Sequence, residues 1–178
     1  MSLITVYLGL GSNIERERNL TAALNALSGM LEGLVCSPVF ESEAVGIKSA
    51  PFINFVVRGQ TDLSLAELSA QLKHIEANSG RYAPDRKGLP LDIDILLYGE
   101  SVGDFDGLVL PRAEILKNAF VLWPLSLLAG TVRHPVDGRT FAELWQEMPK
   151  GQRLWPVAFS WQGRSLTPSA LCQVSPLV

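Results

Sequence analysis

The segment Leu91-Asp92-Ile93-Asp94-Ile95-Leu96-Leu97 restricts the fold more than any other stretch of the chain. Side chains alternate between the two faces of a strand, so Leu91, Ile93 and Ile95 share one face and Asp92 and Asp94 the other. Such a strand belongs in a sheet whose apolar side is covered by helices. Its acidic side meets solvent or something that wants two carboxylates.

The remaining elements follow from periodicity and punctuation. Ile4–Leu10 is apolar and β-branched, and Gly11-Ser12-Asn13 supplies residues suited to a turn and a helix cap. Leu20, Ala23, Leu24, Leu27 and Leu31 then recur at the spacing of one helix face. Leu34–Ser42 and Phe52–Gly59 read as two pairing strands, separated by the irregular Glu43–Pro51 stretch. Ser64 and Glu67 form a capping box ahead of the stripe Leu65, Leu68, Leu72 and Ile75, and Gly80 is placed to end that helix. The polar loop Arg81–Pro90 leads into the acidic strand.

The order β-α-β-β-α-β predicts an α+β chain with a ferredoxin-like core, an antiparallel sheet carrying both helices on one face and leaving the other free. Phe120–Leu128 reads as helical, and a second capping box, Thr140 with Glu143, opens a helix over Phe141–Met148. At 178 residues one core is expected. We read 1–148 as the domain proper and 149–178 as an extension packed on it, where Trp155, Pro156, Trp161, Pro168 and Pro176 show little periodicity.

Composition removes several function classes. Hydrophobic residues at 47% and charged residues at 19% are the balance of a folded domain rather than a disordered chain. A formal net charge of −3 argues against a nucleic-acid partner, which is gripped through a surplus of Lys and Arg. No apolar run approaches the roughly 20 residues that span a bilayer, so no membrane partner and a cytoplasmic location are expected. Cys36 and Cys172 lack metal-ligand spacing and read as free thiols. Self-association beyond a weak homo-oligomer is not implied.

Residues two apart in a strand lie roughly 6.6 Å from each other, so Asp92 and Asp94 can converge on one cation or bridge two. Mg²⁺ suits them, because it takes one or two carboxylates and completes its shell with water and substrate phosphate oxygens. A solvated sheet face is the alternative. Arg81, Arg86 and Lys87 precede the acids in a loop shaped by Gly88 and Pro90, and phosphoryl transfer needs such cations beside the metal. Lys73 and Glu76, three apart on the second helix, either line a nucleotide site or form an exposed pair. Gly9-Leu10-Gly11-Ser12-Asn13-Ile14 falls short of a dinucleotide fingerprint, with Ile14 at the third glycine position, and no P-loop signature occurs.

Taken together, the blocks YLGLGSNI, PFINFVV, IEANSGR, LDIDILLYG, FVLWPL and HPVDGRT, in that order between about Val6 and Glu143, resemble 6-hydroxymethyl-7,8-dihydropterin pyrophosphokinase of folate biosynthesis. The resemblance implies a ferredoxin-like fold and a reaction in which ATP gives its β,γ-pyrophosphate to the pterin hydroxymethyl group, leaving AMP. It implies that Asp92 and Asp94 hold two Mg²⁺ ions. It places Ser42 and Val45 in a pterin-contacting loop, Asn54 at the pterin edge, Phe120 as a stacking aromatic and Phe52 where a tyrosine often sits. Arg81 and Glu76 match positions on the nucleotide side.

The chain also departs from the family pattern. Asp85-Arg86-Lys87-Gly88-Leu89-Pro90 replaces the usual loop, with Leu89 at the position of a phosphate-binding arginine and Arg86 at that of a tryptophan. Pro111-Arg112-Ala113 replaces a Pro-His pattern, and Asn118 a later arginine. Arg86, Lys87 and Arg112 are the candidates for replacement charge. Two other functions stay open on these departures: a pterin-binding paralogue without efficient ATP use, and a related transferase with another donor or acceptor.

Overall fold

The computed structural model describes residues 2–43 and 50–173. Val45 lies outside the described residues. The chain runs β1 Ile4–Ser12, α1 Arg16–Met30, β2 Glu32–Cys36, β3 Phe40–Ser42, β4 Phe52–Thr61, α2 Leu65–Asn78, β5 Asp92–Tyr98, β6 Gly103–Phe105 and β7 Leu108–Leu110. After a 3₁₀ turn at Ala113–Leu116 come α3 Ala119–Leu128, α4 Phe141–Glu147, β8 Leu154–Pro156, β9 Ser160–Trp161 and β10 Arg164–Ser165.

The main sheet has the order β5-β1-β4-β3-β8, with β2 also paired to β4, and its pairings are antiparallel. This is the split βαβ arrangement, with β5 and β4 on either side of β1. Leu20, Ala23, Leu24 and Leu27 of α1 and Leu68 and Leu72 of α2 are buried against Val6, Leu8, Leu10, Ile93 and Ile95 of the sheet. Both capping boxes form: Ser64 Oγ accepts from Glu67 N–H, and Thr140 Oγ1 from Glu143 N–H. α1 starts differently. Its N-cap is Glu15 in the left-handed region, at φ 44°, without a side-chain cap.

Two expectations change. Leu34–Ser42 is not one strand, because Pro38 has no N–H to give to a ladder and the chain breaks there into β2 and β3. Ser37 covers the gap: its N–H donates to Val56 O at 2.8 Å and its Oγ accepts from Val56 N–H at 2.9 Å. The second sheet face is not free either. Tyr7, Val56, Leu96 and Leu97 pack there against Ile115, Leu122 and Leu125, with Phe141 and Leu144 of α4 behind. A register shift in β5 opposite Tyr7 and Leu8 makes this packing possible. Leu96 is the extra residue: it stands on the Asp92 and Asp94 face as alternation requires, Leu97 follows it onto the same face, and both reach the second cluster.

The C-terminal segment is built into the same body. β8 pairs with β3, Phe159 lies 6.1 Å from Phe55 between ring centroids, and Trp161 Nε1–H donates to Asn25 Oδ1 on α1 at 3.0 Å. Among the described residues no helix is long and apolar enough to cross a membrane.

Candidate active site

α3 and α4 cover only part of the second face, and the uncovered part is where the acids stand. Across β1 from Asp92 and Asp94 are Gly11 and Gly9, and across β4 beyond them are Asn54 and Val56. The two glycines therefore form a side-chain-free floor between the carboxylates and the Asn54 amide. A Cβ on Gly11 would stand 2.6 Å from Asn54 Nδ2. The Gly-x-Gly pattern, which fails as a nucleotide fingerprint, clears space on a sheet instead.

Above this floor is a cavity of about 260 Å³ lined by Asn54, Asp92, Asp94, Arg112, Asn118 and Phe120, among others. A second cavity of about 210 Å³ lies on the α2 side and is lined by Lys73, Glu76, Arg81 and Tyr82, together with the same Asp92, Asp94 and Arg112. The two hollows meet at one charged cluster: two acids and an arginine.

Arg81 is tied down on the α2 side. Its Nη1 donates to Glu76 Oε2, to Asp92 Oδ1 at 2.6 Å and to the Leu91 carbonyl at 3.1 Å. Glu76 is buried, its Oε2 also accepting from Ile93 N–H at 2.8 Å and its Oε1 from the Tyr82 hydroxyl at 2.8 Å. The exposed-pair reading of Lys73 and Glu76 is thus replaced: Lys73 is exposed, and Glu76 anchors Arg81 and the edge of β5.

Asp94 is electrostatically unusual. Burial, then a hydrogen bond shared with Asp92, then the Asp92 charge push its carboxyl up to about 8, while the Arg112 guanidinium, 3.4 Å away, works in the opposite direction. The pair holds a proton where a cation would do better. Arg112 Nε lies 3.1 Å from Glu114 Oε2 but makes no hydrogen bond to it, and is a buried nitrogen without a hydrogen-bond partner among the described residues. Paired carboxylates beside an unsatisfied guanidinium suit a divalent cation carrying an anion. Among the described residues there is no group of three or more His, Cys, Asp or Glu that could hold a metal, so a bound cation would depend on ligand and water oxygens as well.

The other expected site residues are scattered. Ser42 is buried at the end of β3, opposite Phe52 of β4 and Leu154 of β8, and neither Ser42 nor Phe52 lines the two cavities. Arg86 and Lys87 are exposed and also lie outside both, with Arg86 Nη1 donating to Gly88 O at 3.0 Å. Glu114 and Tyr82 line the cavities without having been singled out in the sequence. Asn13, expected to cap α1, is instead a buried latch on the Arg81–Pro90 loop. Its N–H donates to Leu89 O at 3.0 Å and its Oδ1 accepts from Leu89 N–H at 2.6 Å.

Residues 7–130 match the model of the 7,8-dihydro-6-hydroxymethylpterin-pyrophosphokinase family. This chain belongs to that family. It is 38% identical over 149 residues to 2-amino-4-hydroxy-6-hydroxymethyldihydropteridine pyrophosphokinase of Pseudomonas aeruginosa, an alignment covering 81% of this chain and 91% of the relative. The enzyme of the same name from Aquifex aeolicus is 35% identical over 148 residues, with 82% and 92% covered. Among solved structures, wild-type Plasmodium falciparum HPPK-DHPS with pteroate superposes at a TM-score of 0.65 and 13% identity, over 82% of this chain but only 42% of that longer one. That likeness carries the family fold. The match to the family model ends before β8, whereas the cavity residues from Gly9 to Val121 all lie inside it.

Proposed function

We infer that this chain transfers pyrophosphate from ATP to 6-hydroxymethyl-7,8-dihydropterin in folate biosynthesis, giving AMP and the pterin diphosphate. The observation that carries the reading is the meeting of two cavities at Asp92, Asp94 and Arg112, added to membership of the family. The α3-side cavity takes the pterin. Phe120 offers a flat apolar face, and Asn54 an amide that both donates and accepts along the heterocycle edge.

The α2-side cavity, with Lys73, Arg81 and Tyr82, takes the nucleotide. Asp92 and Asp94 are the proposed Mg²⁺ ligands; the metal would neutralise charge on the phosphates. Arg112 reaches both cavities and is placed to pair with the transferring group through its fork of donors. The pterin hydroxyl oxygen gives up its proton to water and forms a bond to the β-phosphorus as the bond from that phosphorus to the α–β bridging oxygen breaks, and AMP leaves with that oxygen. The protein contributes position and charge, with no covalent intermediate. Arg86 and Lys87 are proposed to act on the outer phosphates from the Asn13-latched loop. A small-molecule transferase of this kind works in the cytoplasm without nucleic acid or membrane.

The test is AMP release from ATP and Mg²⁺ by the purified chain, with and without the pterin. We expect release that needs the pterin and is absent from the Asp92→Ala/Asp94→Ala variant. Pterin binding with no AMP release would instead favour the binding paralogue, and release with a different acceptor the related transferase.

Gly11→Ala tests the floor separately. The added methyl group displaces the Asn54 amide, so pterin affinity should fall by about tenfold, the value of one lost good hydrogen bond. The melting temperature should barely move, since Asn54 can swing into the cavity. Unchanged pterin affinity in calorimetry would remove Asn54 from the acceptor site.

A further inference from the structure

The N-terminus of α3 carries two walls of the acceptor cavity, Asn118 and Phe120. Asn118 is the N-cap, a position where asparagine normally turns its side chain back to a free amide of the first turn. Here it makes no side-chain cap hydrogen bond, and it lines the cavity instead. The first amide of the helix, Ala119 N–H, which lies outside the reach of an N-cap side chain, donates to Oε1 of Gln152 at 2.6 Å. The same side chain donates from Nε2 to the Lys117 carbonyl at 3.2 Å. Gln152 thus grips the backbone on both sides of Asn118, from 33 residues away in sequence.

Gln152 is itself held from the neighbouring strand pair. Two residues on, Leu154 is fully buried and begins β8, which pairs with β3 so that Leu154 faces Ser42. Arg153 Nη1 reaches Glu43 Oε1 at 3.0 Å, an exposed pair beside the β3–β8 ladder that contributes little to stability. Gln152, Arg153 and Leu154 lie after the last residue matched by the family model, whereas Ser42 and Glu43 lie within it.

We propose that Gln152 is a positioning residue for the acceptor pocket: by holding the backbone on both sides of Asn118 it fixes the entry of α3, and with it the way Asn118 and Phe120 face the ligand. The inference rests on the α3-side cavity being the pterin site. Without Gln152 the entry of α3 loosens around Asn118, and the pocket-competent arrangement becomes a minor one, which weakens apparent affinity by the fraction lost.

The test uses the full chain and two variants. Gln152→Ala should raise the Kd for 6-hydroxymethyl-7,8-dihydropterin about fivefold, the equivalent of one helix cap. Affinity for a non-hydrolysable ATP analogue with Mg²⁺ should stay within about twofold, and the Ala119 amide should exchange hydrogen faster. Gln152→Glu keeps the Oε acceptor at the helix N-terminus and should restore pterin affinity. Equal weakening of both ligands, or no rescue by glutamate, would reduce Gln152 to general structural support and overturn the proposal. Wild-type and Gln152→Ala chains that bind the pterin equally well would overturn it alone. A wild-type chain that binds no pterin would overturn the assigned function and this inference together.

Discussion

Asp94→Asn should give a protein that melts at a higher temperature than the parent at pH 8 in the absence of divalent cations, yet has lost turnover by at least about 10³-fold. The stability half follows from the raised carboxyl, held near 8 by burial and by Asp92. A group whose native pKa lies above its unfolded value, about 3.9 for Asp, contributes its full stability below that unfolded value. The contribution is lost as pH rises between about 3.9 and the native value of about 8, because the native state keeps a proton that the unfolded chain has released. Asparagine stays neutral throughout and can donate to Asp92 as the protonated acid does. The melting curves should therefore lie close together near pH 4 and separate towards pH 8. The activity half follows from the same carboxylate being a proposed metal ligand. Mg²⁺ should raise the melting temperature of the parent by mass action and leave Asp94→Asn nearly unmoved. A variant that melts lower at every pH, or that is still stabilised by Mg²⁺, would contradict both the electrostatic account and the ligand assignment.

The acid pair was legible in the sequence because it depends only on alternation, and alternation survives folding wherever one strand face is buried. Leu91, Ile93 and Ile95 enter the helix-covered core as the pattern requires. The same reasoning stopped at Leu97, since a bulge depends on the partner strand and leaves no mark in the local sequence. The family resemblance pointed to Asn54 and Phe120 in one pocket, and the structure places both there beside Arg112. What could not be read was contact between distant segments. Asn13 looks like a helix cap because its immediate neighbours are a turn, but its partner is Leu89. α3 and α4 looked like additions to the core, but the apolar part of the sheet's second face packs against them. The extension after Met148 shows no periodicity because it works through one- to three-residue contacts: Leu154 opposite Ser42, Phe159 against Phe55 and Gln152 on α3.

Glu76 shows that limit most clearly, and its removal should have the largest effect on stability. On a helical pattern a glutamate three residues from a lysine is an ordinary surface pair, worth a few tenths of a kcal/mol. The fold instead buries it against β5, the edge strand of the sheet, whose outward amides need a partner. One oxygen takes Ile93 N–H and Arg81 Nη1, and the other takes the Tyr82 hydroxyl. Glu76→Ala leaves a buried N–H without an acceptor and a guanidinium with Asp92 as its remaining carboxylate. The cost should be about 3–5 kcal/mol, as for one half of a buried ion pair. Glu76→Gln keeps an acceptor for the backbone and loses the charge, at about 1–3 kcal/mol. Tyr82→Phe removes one exposed-side hydrogen bond and should cost about 1 kcal/mol or less. Denaturant titrations of the three variants should rank in that order. With its anchor gone Arg81 should pair more closely with Asp92, so the Mg²⁺ requirement of the Gln variant should shift to higher concentration even though its fold is retained. An Ala variant within about 1 kcal/mol of the parent would mean that water replaces Glu76 at the edge of β5, and that Arg81 is held by Asp92 alone.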